Sequence, residues 1–158
     1  MKIAVISDTH SLPLPQKLMS ALGSVDLIIH AGDVCDLDTL KTLQKIKQVK
    51  AVQGNMCDPQ VKKKLPLKEY FECEGVKIGV YHGHGPSRDA LINAQEQFKD
   101  VPVDMVIFGH SHHAFKGDIN GVLFFNPGSP NDVVKARFFS YGLIKIDHGK
   151  IQAEIIKI

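Results

Sequence analysis

One pattern recurs along the chain: a short apolar or β-branched run ends abruptly in a cluster of Asp, His, Asn and Gly. Ile3-Ala4-Val5-Ile6 leads into Ser7-Asp8-Thr9-His10, and Leu27-Ile28-Ile29 into His30-Ala31-Gly32-Asp33. Ala51-Val52-Gln53 is followed by Gly54-Asn55, and Ile78-Gly79-Val80-Tyr81 by His82-Gly83-His84. Met105-Val106-Ile107-Phe108 precedes Gly109-His110-Ser111-His112-His113, and Val122-Leu123-Phe124-Phe125 precedes Asn126-Pro127-Gly128-Ser129. The runs are short and apolar without alternation, which predicts strands covered on both faces.

Helical periodicity separates some of these runs. Leu37, Leu40, Leu43 and Ile46 recur every third position with lysines between them, predicting an amphipathic helix over 37–48. The lysines near its end complement the negative pole of the helix dipole. A short helix is expected over 14–22, after Pro13. Another is expected over 87–99, capped by Ser87 or a neighbour, with Ala90, Leu91, Ala94 and Phe98 as its apolar face. The first third therefore reads β-α-β-α-β, the order of a parallel sheet with right-handed crossovers. The rest reads as hairpins: 69–74 with 76–82 around Glu74-Gly75, 114–119 with 121–125 around Asn120-Gly121, and 138–147 with 150–157 around His148-Gly149. The expectation is an α/β fold of two packed mixed β-sheets flanked by helices, a four-layer α-β-β-α sandwich, in a single domain over residues 1–158.

Composition narrows the class. Hydrophobic residues at 44% and charged residues at 23% match a globular protein and exclude collagen-like, coiled-coil and disordered chains. No apolar run approaches the ~18 residues of a membrane-spanning helix, so no membrane partner is expected. A net charge of +2 and the absence of Trp give no strong nucleic-acid signature. The opening Met1-Lys2-Ile3-Ala4-Val5-Ile6 is too short for a signal-peptide core, and a cytoplasmic protein is expected. Cys35, Cys57 and Cys73 are odd in number, without C-x-x-C, and read as free thiols.

Histidine changes the picture. Five of eight (His82, His84, His110, His112, His113) fall in one stretch. If neighbouring strands run parallel, the polar clusters at their carboxyl ends converge beyond the sheet. In extended segments Asp8 and His10, and likewise His110 and His112, would each face one side. Asp8, His10, Asp33, Asn55, His82, His110 and His112 offer oxygen and nitrogen donors, which suit Mn²⁺, Fe, Zn²⁺, Co²⁺ or Ni²⁺ and not a structural cysteine zinc. Seven donors exceed the need of one ion with an open position. Two ions sharing a carboxylate fit better, the usual device for in-line displacement at phosphorus.

Asp8-x-His10, Gly32-Asp33-x-x-Asp36, Gly54-Asn55, His82 and Gly109-His110-x-His112 resemble, in that order, the motifs of calcineurin-like metallophosphoesterases. The short chain and Asn126-Pro127-Gly128-Ser129 resemble the small single-domain prokaryotic phosphodiesterase branch, to which the eukaryotic retromer scaffold subunit is also similar. The resemblance implies a first metal on Asp8, His10, Asp33 and His112 and a second on Asp33, Asn55, His82 and His110. Asp33 would bridge, and Asp33, Asn55 and His82 would serve catalysis. It further implies two divalent ions, manganese foremost with nickel, iron, zinc or cobalt as alternatives. A water between them would lose its proton and attack a small phosphodiester substrate. A scaffold that keeps the fold is the alternative, and a metal-dependent nuclease is disfavoured by the lack of a basic groove.

Where the family carries Gly-Asn-His, the chain has Gly54-Asn55-Met56 and then Cys57-Asp58. A thioether cannot protonate a leaving oxygen, so diesters with good leaving groups are expected. His84 is the imidazole that could substitute. His30 reads either as a donor holding a ligand carboxylate or as a core histidine bonded to backbone. Asp36 reads as a local cap, His113 as facing away, and His148 as solvated. Cys35 reads as packing and Cys57 as lying near the pocket. Asn126 and Ser129 read as pocket rim or plain turn, with the turn preferred for Ser129. Lys62-Lys63-Lys64 reads as a solvated run, and Arg88 and Lys116 as phosphate contacts. Oligomeric state is left open, a homo-oligomer included.

Overall fold

A computed structural model describes residues 1–158. The strands are β1 (Lys2–Ile6), β2 (Leu27–His30), β3 (Val49–Ala51), β4 (Lys68–Cys73), β5 (Val76–Tyr81), β6 (Met105–Ile107), β7 (Phe115–Ile119), β8 (Val122–Asn126), β9 (Ser140–Asp147) and β10 (Lys150–Lys157). The helices are α1 (Gln16–Leu22), α2 (Leu37–Ile46), α3 (Pro59–Lys62) and α4 (Ala90–Phe98). They form two five-stranded sheets, ordered β10-β9-β1-β2-β3 and β4-β5-β6-β8-β7. In the first, β1, β2 and β3 run parallel. In the second, β5, β6 and β8 run parallel. The antiparallel strands at the margins close as hairpins, as the turn dipeptides predict. Glu74-Gly75, Asn120-Gly121 and His148-Gly149 all have positive φ at both positions, the geometry of type I′ turns.

The apolar runs sort by face. Ile3, Val5, Leu27 and Ile29 of the first sheet meet Ile78, Val80, Met105, Ile107 and Phe125 of the second in the central core. The Phe125 ring fits because β9 offers Gly142 opposite it: a Cβ there would lie 2.3 Å from Cε1 of Phe125. The alternate residues Ala4, Ile6 and Ile28 pack outward on Leu18 and Leu22 of α1 and Leu43 of α2. Val106, Phe108 and Phe124 pack outward on Ala90, Ala94 and Phe98 of α4. That is why the strands show no alternation: both faces are covered.

Boundaries differ in small ways. Asp36 caps α2, with Oδ1 accepting from the backbone N–H of Asp38 at 2.9 Å and Thr39 at 2.7 Å. The cap of α4 is Asp89, not Ser87, whose hydroxyl instead accepts from the Asp89 N–H at 3.0 Å. The four-residue α3 lacks an apolar period long enough to betray it, although Val61 buries against Val34, Leu40 and Cys57. No helix is long and apolar enough to cross a membrane.

Candidate metal centre

Six parallel strands end at one mouth of the sandwich, and the polar clusters follow them there. The first sheet supplies Asp8 and His10 after β1, Asp33 after β2 and Asn55 after β3. The second supplies His82 after β5 and His110 and His112 after β6. His10, Asp33, Asn55, His110 and His112 line one cavity of about 370 Å³. Asp8 and His82 lie beneath it, wholly buried.

The paired motifs are not extended, contrary to the expectation from alternation. Asp8, His10, Asp33, His110 and His112 all have positive φ, from 48° to 67°. Each ligand-bearing segment coils as its strand ends, and coiling, not a two-residue repeat, aims the side chains inward. Such conformations cost of order 1–3 kcal/mol each and cluster at functional sites. The motif glycines leave room for the acids: a Cβ on Gly54 would lie 2.0 Å from Asp33 Oδ1, and one on Gly109 2.8 Å from Asp8 Oδ2.

Both carboxylates divide their oxygens between structure and site. Asp8 Oδ2 accepts from the Ser7 hydroxyl at 2.7 Å and the His110 N–H at 3.0 Å. Asp33 Oδ1 accepts from the Met56 N–H at 2.8 Å. The other oxygens point inward. Asp8 Oδ1 stands 3.3 Å from His112 Nε2, 3.8 Å from His82 Nε2 and 3.9 Å from His10 Nε2. Asp33 Oδ2 stands 3.2 Å from His82 Nε2 and 3.9 Å from His10 Nε2. Two overlapping groups with metal-ligand spacing result, Asp8-His10-His112 and Asp8-Asp33-His82.

The imidazoles are set by their far nitrogens. His82 Nδ1 donates to the Ala31 carbonyl at 2.8 Å, so its neutral form presents a lone pair at Nε2. His112 Nδ1 pairs with the Asp132 carboxylate. Asp8 Oδ1 and His82 Nε2 are buried with no hydrogen-bond partner. Burial without a partner costs about 1–3 kcal/mol per group, and coordination of each atom to a cation removes that cost. The residues therefore fit divalent metals. Without an ion, burial would raise the Asp33 carboxyl, but the close approach and positive charge of the His82 ring outweigh it and hold it at about 2. Burial likewise opposes a charge on His82, and Asp33 and Asp8 override it, lifting it to about 8.

Residues 1–149 match the calcineurin-like phosphoesterase superfamily domain. The chain belongs to that family. It is 38% identical to a probable metallophosphoesterase of Methanocaldococcus jannaschii, over 100% of this chain and 82% of that one. It is 29% identical to a phosphodiesterase of the same organism, over 81% and 83% of the respective chains. The crystal structure of Entamoeba histolytica Vps29 complexed with zinc superposes with a TM-score of 0.76 at 26% identity, covering 99% of both chains. The protein is a phosphoesterase-family hydrolase with the fold of metallophosphoesterases, a family that uses divalent metals.

In this metallophosphoesterase several sequence expectations change. Ser129 is no plain turn residue: it is fully buried and its hydroxyl donates to the Asp8 carbonyl at 2.9 Å. Asn126 Nδ2 donates to the Gly109 carbonyl at 2.9 Å. Asn131 and Asp132 were not foreseen; Asn131 Nδ2 donates to the Thr9 carbonyl at 3.2 Å. The only prior signal was their place after the sixth polar cluster. His30 follows neither expected role. It faces the Thr9 hydroxyl through Nε2 at 3.1 Å, its Nδ1 is unpartnered, and burial pushes its pKa down to about 3. Lys116 is not at the mouth, because its ammonium donates to the Ala153 carbonyl at 2.7 Å. Arg88 lies outside the residues lining the cavity. Lys62 of the basic run donates to the Asn55 carbonyl at 2.9 Å. The Cys35 thiol is 3.5 Å from His10 Nδ1, and Cys57 Sγ accepts from the Gly54 N–H at 3.2 Å. His84 is half-buried, its ring 5.6 Å from that of His82. His113 turns away, its Nε2 donating to the Lys135 carbonyl at 3.0 Å. His148 lies in solvent as expected, its Nδ1 2.6 Å from Asp147.

Proposed function

We propose that the protein hydrolyses phosphodiesters with two divalent ions, the first held by Asp8, His10, Asp33 and His112 and the second by Asp33, Asn55, His82 and His110. The observation that carries this reading is the pair of buried, partnerless atoms, Asp8 Oδ1 and His82 Nε2, facing each other across the cluster. The bridging role of Asp33 follows from the family resemblance; its Oδ2 lies 3.2 Å from His82 and 3.9 Å from His10, while Asp8 is the carboxylate common to both ligand-spaced groups. The ions, when bound, supply a nucleophile deprotonated near neutral pH and positive charge against the phosphoryl oxygens. The chain's own task is alignment. The Ala31 carbonyl and the Asp132 carboxylate hold His82 and His112 in one tautomer each, and the Met56 N–H holds Asp33. No side chain at position 56 donates a proton to the departing oxygen, so good leaving groups are favoured. A scaffold would gain nothing from buried unpaired donors that cost stability.

Purified protein is expected to hydrolyse bis(p-nitrophenyl) phosphate with Mn²⁺ or Ni²⁺ and to stop with a chelator. Asp33→Ala should lose turnover and metal content together, read by release of p-nitrophenolate and by elemental analysis. Inactivity across the first-row divalent metals would reject the reading, and full activity of the variant would reject the bridge.

A further inference from the structure

Three of the ten residues lining the metal cavity are apolar side chains that the binding of an anion does not itself require. Leu12, Met56 and Val134 share the cavity wall with His10, Asp33 and His112. They are 43%, 62% and 86% exposed, where large apolar side chains ordinarily seek cover. They come from three separate segments, so no single amphipathic element explains their grouping.

Nor are they loose. Asn131 Nδ2 donates to the Leu12 carbonyl at 3.2 Å, joining two of these segments. The Val134 and Lys135 N–H groups donate to Asp132 Oδ1 at 2.7 and 3.2 Å, while the other oxygen of that carboxylate holds His112. Met56 is anchored through its N–H to Asp33. The backbone at Met56 is thus tied to the proposed ligand Asp33, that at Val134 to Asp132 behind His112, and that at Leu12 to Asn131. Lys135 adds a cation on the same wall, which suits a monoanionic ligand.

We propose that Leu12, Met56 and Val134 form an apolar collar that seats the organic group of the substrate. The collar selects phosphodiesters bearing a large uncharged apolar group, such as an aryl ring, over those whose organic groups are too small to fill it. The ligand class rests on the phosphodiesterase reading, whereas the collar is a separate claim about how that ligand is held.

The test is a titration of zinc-loaded, methyl-labelled protein, with diphenyl phosphate and dimethyl phosphate as probes and methyl NMR as readout. Diphenyl phosphate is expected to move the Leu12, Met56 and Val134 methyl signals and to bind at least about tenfold tighter, the scale of burying one ring. In the Leu12→Ser/Val134→Ser double variant that ratio should fall toward one while zinc content is retained. Equal affinities, unmoved methyls or no binding of either probe overturns the collar. Diester hydrolysis is scored separately with bis(p-nitrophenyl) phosphate. Hydrolysis with unmoved methyls removes the collar and keeps the phosphodiesterase. Methyl shifts without hydrolysis under any divalent metal keep the collar and remove the phosphodiesterase.

Discussion

Met56 stands where the family motif that the sequence resembles carries His, and it acts twice. Its backbone orients Asp33, and its thioether occupies the place of a proton donor. Met56→His keeps the first role and restores the second. Turnover of diesters with poor alkoxide leaving groups should rise about tenfold or more, while p-nitrophenyl diesters change less than about threefold. Parallel kcat measurements across leaving groups of graded pKa check this, and an equal rise for all substrates would contradict it. At this scale the sequence was legible where chemistry is rare. Asp8, His10, Asp33, His82, His110 and His112 stood out because carboxylates and imidazoles seldom close apolar runs. Ser129, Asn131 and Asp132 did not, because polar residues after Pro-Gly are what any turn contains. The backbone of the ligands was also illegible: positive φ at five of them follows from long-range packing, not from local spacing.

Among the elements, the segment after β8 changes most in importance. It reaches back from the second sheet to bond the Asp8 and Thr9 carbonyls of the first, and Asp132 fixes His112. A carboxylate behind a ligand imidazole sets its tautomer and raises its basicity. Asp132→Asn should therefore weaken metal binding by about 10–100-fold without unfolding the protein, read by isothermal titration with Zn²⁺ and by circular dichroism. Affinity equal to that of the parent would show that Asp132 serves only the turn. Strands and hairpins were readable here because covered parallel runs and type I′ dipeptides carry strong local signals. The helix ends were readable only to within a few residues, and α3 escaped because four residues cannot show a 3.6-residue period.

At the scale of the molecule, the site belongs to neither sheet. Asp8, His10, Asp33 and Asn55 come from one, and His82, His110 and His112 from the other. Ions binding only the folded arrangement stabilise it by mass action, about 2.7 kcal/mol at a hundredfold excess over Kd. For a chain of this size that raises Tm by about 5–10 °C, seen by differential scanning fluorimetry and reversed by a chelator. No shift in the parent protein would contradict a shared site. Since the sheets meet through the central core, slackening there pulls the donors apart at the rim. Damage deep in the interior, at Phe125 or Gly142 for instance, should announce itself first as cation leakage, while every strand is still intact.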